Sequence, residues 1–244
     1  MRLSRVFASL PLAEHTEYVL TGATAHYLST VLRLQRGMSL WVFNGEGGQF
    51  EAQVQWVRKG AVQIRTGNHQ TMERESPLRI ILGHSLCRAE RSDYVIQKAA
   101  ELGVIRIDPL LTERTVVRLD SYRAERRVAH WQSVAVEACE QCGRDRLLAV
   151  SPIKQMTDWL AESPVDGLGL VLDPTAQCGL DSVAPPTAGV TLLMGPEGGL
   201  TSRELELAQA AGFSAVHLGP RTLRADTAAI AAVVALQLRF GDLT

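Results

Sequence analysis

The chain has 244 residues, 46% of them hydrophobic and 21% charged, and its 25 Lys+Arg stand against 26 Asp+Glu for a formal net charge of -1. That balance excludes a disordered or fibrous chain, and the length suits one large domain or a small one with a medium one. The charge is unevenly spread: residues 1–74 hold 8 basic and 5 acidic side chains, residues 79–154 hold 13 and 10, and residues 155–244 hold 4 and 10.

Of the 25 basic residues 22 are Arg. The guanidinium fork suits bidentate binding of phosphate and base edges, and a GC-rich coding sequence explains the bias equally well.

Arg2 and Arg5 precede an apolar stretch at 6–12 that contains Ser9 and Pro11 and stops at Glu14, so a strand is expected there rather than an export signal. Thr21-Gly22 caps a helix over 23–34 with Tyr27, Leu28, Val31 and Leu32 as its apolar stripe. Strands follow at 38–43, 50–57 and 61–65, parted by turns at Asn44-Gly45, Gly47-Gly48 and Lys59-Gly60. The second strand alternates Phe50, Ala52, Val54, Trp56. Residues 67–77 are polar, end in Pro77 and read as a linker, which divides the chain into 1–74 and 75–244.

From residue 78 the rhythm becomes strand–helix–strand. A strand at 78–86 precedes a helix that Ser92 caps and Gly103 stops; a strand at 104–111 precedes a helix at 122–142. Strands at 168–172 and 190–194 lead to the capping box Thr201-Ser202-Arg203-Glu204, whose helix Gly212 closes. A strand at 215–218 and a helix at 225–240 finish the chain. This alternation predicts an α/β fold with a parallel sheet covered on both faces. The Ala-rich last helix allows close packing.

The longest apolar run, 228–236, is far short of the ~20 residues a membrane span needs. The cysteines Cys87, Cys139, Cys142 and Cys178 are expected to be free thiols in a cytoplasmic chain. Cys139-x-x-Cys142 has no second pair and no His at ligand spacing, so no metal is expected.

Two loops carry the chemistry. Gly195-Pro196-Glu197-Gly198-Gly199 follows the 190–194 strand, and residues 219–227, Gly-Pro-Arg-Thr-Leu-Arg-Ala-Asp-Thr, follow the 215–218 strand. Ligands of open parallel sheets bind outside the carboxyl ends of the strands, and glycine there lets backbone approach a ligand. The first loop is neither a dinucleotide fingerprint nor a P-loop, so a loop that reads a planar ring through its backbone fits better than a phosphate cradle. Spacing alone leaves an ordinary strand-to-helix turn equally open.

Five ordered motifs then coincide: residues 97–104 (QKAAELGV), Glu113-Arg114, residues 137–144 (EACEQCGR), residues 195–199 (GPEGG) and residues 218–228 (LGPRTLRADTA). With an Arg5-Val6-Phe7 start and a helix containing His26, Val31, Leu32 and Arg33, nearly the whole chain resembles the RsmE-type enzymes of the SPOUT class. The resemblance implies a PUA-like RNA-binding barrel over 1–74 and, over 75–244, a SPOUT domain with a C-terminal trefoil knot. It implies a homodimer that binds S-adenosylmethionine and methylates N3 of a uridine in the decoding region of 16S ribosomal RNA, on the small subunit. The cofactor residues it implies are Leu172, Asp173, Gly195, Pro196, Glu197, Gly198, Gly199, Leu218, Gly219, Leu223 and Thr227.

The sequence departs from the family pattern at Arg88, Ala100, Thr222, Ala225 and Asp226, where Lys, Thr, Ile, Thr and Glu are usual. Arg224 and Arg221 are the candidates for stabilising charge on the uracil, and Asp226 and Glu197 for accepting its proton. Arg33, Arg36, Lys59, Arg114 and Arg144 are the candidate RNA contacts. Arg118, Arg123, Arg126, Arg127 and Arg146 belong to the same basic stretch, with Arg127 expected on a solvated face. Two alternatives stay open: an inactive RNA-binding or ribosome-assembly protein, and a methyltransferase of the same class acting on another RNA.

Overall fold

The computed structural model describes residues 3–72, 74–87, 89–116, 120–162 and 167–244; Arg2, Arg88 and Arg118 lie outside them. The chain forms two compact units, one of residues up to Glu75 with Cys139–Leu147, the other of Ser76–Ala138 with Leu148–Thr244. A single boundary near residue 74 takes no account of Cys139–Leu147. That segment is fixed by polar contacts within the first unit: Phe7 N donates to Glu140 Oε1 at 2.7 Å and Gly48 N to Asp145 Oδ2.

The first unit contains β1 (Arg5–Phe7), β2 (Glu17–Thr21), α1 (Gly22–His26), β3 (Ser39–Phe43), β4 (Gln49–Arg58) and β5 (Ala61–Gln70). α1 continues as a π-helical turn, Tyr27–Val31, and Arg33 ends the helical run in the left-handed region at φ 51°. The strand order is β1-β3-β4-β5-β2, antiparallel except for β1 with β3. The sheet curls as a half-barrel rather than a closed barrel, with β1 and β2 as its edges. Its core takes Val6, Leu28, Leu40, Val42, Val54, Val62 and Ile64.

The expected alternation holds from Phe50 to Val54. A register shift between Val54 and Trp56 then breaks it, and Val57, not Trp56, packs against the core. A β-bulge inserts one residue and so reverses which side chains face inward. Residues 67–70 belong to β5 rather than a linker, because they pair as far as Gln49 with Gln70. The short strand β2 and the helix α4 described next have no counterpart in the sequence reading.

The second unit contains β6 (Arg79–Ser85), α2 (Ala89–Glu101), β7 (Arg106–Leu111), α3 (Ser121–Cys142, as far as Ala138), β8 (Ala149–Val150), β9 (Lys154–Gln155), α4 (Met156–Glu162), β10 (Leu168–Leu172), β11 (Gly189–Met194), α5 (Ser202–Ala210), β12 (Phe213–Val216) and α6 (Ala225–Phe240). The sheet order is β12-β10-β11-β6-β7-β8, with β9 also on β7, and every pairing is parallel. β11 is buried along its whole length, as a central parallel strand should be.

Gly83 on β6 makes room for α4: a Cβ there would lie 2.8 Å from the Trp159 ring. Trp159 Nε1 and Ser151 Oγ both donate to the buried Asp108 carboxylate. α2 starts at Ala89 rather than at Ser92, whose buried hydroxyl donates instead to Cys87 O at 3.4 Å. The capping box of α5 is present as expected, with Thr201 Oγ1 accepting from Glu204 N and Glu204 accepting from Thr201 N.

Candidate functional site

Parallel strands end on one edge of a sheet, so the turns after β10, β11 and β12 stand together. With Arg91 of α2 and the first turn of α6 they enclose a cavity of about 520 Å³, within the usual range for a small-molecule site. Every cofactor residue implied by the sequence except Thr227 lines it, as do Arg221 and Arg224. Thr227 and Asp226 are not on its wall; Asp226 Oδ1 accepts from Thr227 N at the start of α6, where the helix dipole favours a carboxylate.

The 195–200 loop is closed on itself. A Cβ on Gly195 would lie 2.8 Å from Leu200 N and 3.0 Å from Gly199 C, so only glycine fits. Gly199 adopts φ 69° and would meet nothing within 4 Å, which leaves its backbone open to the cavity. Two arginines brace this loop. Arg114 Nη1 donates to Gly198 O at 2.7 Å, and Arg91 pairs with Glu197 at 3.1 Å.

Arg91, Pro174, Met194, Val216, His217, Thr222, Ala225 and Ala228 complete the wall; Thr222 and Ala225 lie in the loop singled out from the sequence, and the others were missed there. The strand expected at 215–218 hid His217. β12 stops at Val216 because the His217 backbone pairs with the Cys178–Leu180 segment, its N–H donating to Cys178 O and its carbonyl accepting from Leu180 N. Gly219 N donates to His217 Nδ1 at 3.0 Å, which leaves Nε2 as the protonated nitrogen of the neutral ring. Ala225 and Ala228 keep the wall of α6 low.

Two buried groups sit beneath these loops. His84, at the end of β6 beside Met194, has no hydrogen-bond partner on either ring nitrogen among the described residues, and burial pushes it down to about 4 against the opposing charges of Glu197 and Asp226. It is a neutral imidazole. The Cys87 thiol is pushed up to about 12, chiefly by burial and then by the charge of Glu197 and a hydrogen bond to it. Cys87 is therefore no nucleophile. Asp173 Oδ1 already accepts from Thr175 N and Oγ1, leaving its other oxygen for a ligand.

A profile of the RNA methyltransferase domain matches residues 74–237, and one of the RNA methyltransferase PUA domain matches residues 20–66. The ribosomal RNA small subunit methyltransferase E of Buchnera aphidicola subsp. Schizaphis graminum is 30% identical over 100% of this chain and 99% of its own length. The chain belongs to the ribosomal RNA small subunit methyltransferase E family. A family enzyme of Neisseria gonorrhoeae, solved bound to S-adenosyl methionine, matches with a TM-score of 0.93 and 33% identity, covering 100% of both chains. A methyltransferase of Legionella pneumophila, solved with the bound cofactor SAM, matches with a TM-score of 0.94 and 34% identity over 100% of both.

Among the basic residues singled out for RNA in this methyltransferase, Arg33, Arg36 and Lys59 are exposed on the first unit. Arg144 is not at the surface. It is 4% exposed and its guanidinium is taken by Glu75, with Nη2 to Oε2 at 2.7 Å. A buried, paired guanidinium supports the chain segment that carries it and offers nothing to a phosphate. Arg114 faces the glycine loop, as described. Arg127 is half-buried over the Trp131 ring at 5.8 Å, not on a solvated face. Exposed Arg221 and Arg224 have no protein partner among the described residues. No helix is long and apolar enough to cross a membrane, and no cluster of metal-ligating side chains is present, among the described residues.

Proposed function

We propose that this cavity holds S-adenosylmethionine and that the protein methylates N3 of a uridine in the decoding region of 16S ribosomal RNA, on the assembled small subunit. The observation that carries the reading is the closed glycine loop facing the 217–224 loop across a cavity of about 520 Å³ with two unpaired arginines at its wall. Family membership and the cofactor of the two solved relatives support it. When bound, the cofactor supplies a methyl group on a positively charged sulfur. The backbone of the two loops grips it and Asp173 offers a free carboxylate oxygen.

N3 of a uridine lies on the pairing edge, so the base must be unpaired to be reached. Loss of the N3 proton spreads negative charge over the ring oxygens, and Arg224 and Arg221 stabilise it. Glu197, paired with Arg91, and Asp226, in the first turn of α6 with Oδ1 accepting from Thr227 N, remain the candidates to take that proton. We assign 1–74 as an RNA-binding domain that presents Arg33, Arg36 and Lys59, and 75–244 as the catalytic domain with its C-terminal segment knotted. The protein works as a cytoplasmic homodimer. The row of α6 that contains the half-buried Ala231 and Val234 and the 58% exposed Leu238 supports a second copy there.

The test is transfer of a labelled methyl group to assembled small subunits and to naked 16S RNA, followed by reverse transcription. N3 methylation blocks pairing and stops the transcriptase at one uridine. Label without a stop would move the reaction to ribose or another edge, and no label with cofactor bound would leave an RNA-binding protein.

A further inference from the structure

The most exposed apolar side chains of the second unit lie on the stretch leading into α3, outside the cavity. Val116 is 89% exposed and Tyr122 is 67% exposed. A helix that follows a parallel strand begins at the carboxyl edge of the sheet, so the first turn of α3, reached from β7, shares the edge where the cavity loops stand. Residues just after β7 are joined to the first of those loops and to the helix that follows it: Arg114 donates to Gly198 O, and Glu113 N donates to Glu204 Oε1 of α5 at 2.8 Å.

Tyr122 does no packing that the fold requires. Its neighbour one turn on, Arg126, lies with its guanidinium carbon 5.7 Å from the ring centroid. Arg123 has a 73% exposed side chain and only a 3.4 Å surface pair with Asp120, whose other oxygen caps the helix at Arg123 N. Such a surface pair is weak and gives way to a stronger anion. An exposed aromatic ring beside two exposed arginines suits a nucleobase stacked next to its phosphates. A protein partner would instead want a continuous apolar patch, and charged guanidiniums flank the ring on the helix.

We propose that Tyr122 is a stacking platform for an unpaired base of the RNA substrate next to the target nucleotide, with Arg123 and Arg126 neutralising the adjoining phosphates. The inference rests on the RNA-methylating reading above and adds a contact outside its catalytic machinery.

The full-length protein with Tyr122→Ala, Tyr122→Phe or Arg126→Ala is compared with wild type on naked 16S RNA and on assembled subunits. Tyr122→Ala is expected to raise KM for assembled subunits and to weaken binding of naked 16S RNA, each about tenfold, within the usual worth of base–aromatic stacking, with kcat and cofactor affinity unchanged. Tyr122→Phe restores KM, because the ring and not the hydroxyl does the work. Arg126→Ala raises KM less and lowers the salt slope of binding by about one.

An unchanged KM in Tyr122→Ala overturns the proposal, and so does a raised KM on subunits with undiminished binding of naked 16S RNA, which would mean a protein contact. If the wild type transfers no methyl to RNA, the catalytic reading fails by itself. Binding of a labelled oligouridylate then decides the platform: weakening by about tenfold in Tyr122→Ala upholds it and equal binding overturns it.

Discussion

In the first unit the strands alternate between core and solvent, and the contacts proposed for it are made by exposed side chains. In the second unit β11 is buried from Gly189 to Met194, and the functional groups stand in the turns beyond the strand ends, where much of the binding surface is backbone. The difference teaches where each unit tolerates change. A surface of long charged side chains loses one contact at a time. A pocket made from backbone fails when the loop that shapes it cannot close.

The largest expected effect sits on that contrast. Gly195→Ala places a methyl group 2.8 Å from Leu200 N, so the loop must open and calorimetry should detect no binding of S-adenosylmethionine. Gly60, in the β4–β5 turn of the first unit, has φ 74° and open space around it. Gly60→Ala is expected to cost only about 1 kcal/mol of stability and leave cofactor binding intact. Equal binding by both variants would break the comparison.

Next comes Arg224, at the cavity wall. Arg224→Ala is expected to keep cofactor affinity within a few-fold and to slow single-turnover methylation by roughly two orders of magnitude, because its charge matters most as charge develops on the uracil. A wild-type rate at saturating RNA and cofactor would make it a bystander.

The third effect concerns the unpartnered imidazole under the loops. Folded His84 takes its proton near 4 whereas the unfolded chain takes it near 6.5. The unfolded state therefore gains a proton first as pH falls. Its contribution to stability is complete above 6.5 and is lost between 6.5 and about 4, amounting to roughly 3 kcal/mol. Urea unfolding of His84→Gln should lack this part of the acid slope, and an identical slope in the variant would assign it elsewhere.

The smallest is Arg114→Ala. It removes an exposed charge-assisted hydrogen bond of the kind worth about 1.5 kcal/mol, so the cofactor dissociation constant should rise roughly tenfold while the fold stays intact. A change in RNA affinity alone would return Arg114 to the RNA surface expected from sequence.

Much of the second unit was legible because its elements are local. The capping box at Thr201, the punctuation by Gly103 and Gly212, and the two glycine loops each announce themselves within a few residues. What stayed hidden depends on partners distant in sequence. Arg114 and Gly198 are 84 residues apart, and Arg144 and Glu75 are 69 apart. Nothing local tells a buried, paired arginine from a phosphate contact. Trp56 was misplaced for another reason: one inserted residue flips the inward face of a strand, and its sequence carries no mark of the insertion. His217 was hidden inside an apolar run that ends two residues earlier as a strand than as a pattern.

Hydrogen exchange with and without S-adenosylmethionine tests the central claim most directly, since it reads the backbone groups held to grip the cofactor. Slower exchange is expected in the amides of 195–200 and 217–224, with none in the sheet of the first unit. Binding that protects neither loop, or protects the first unit instead, would contradict the account.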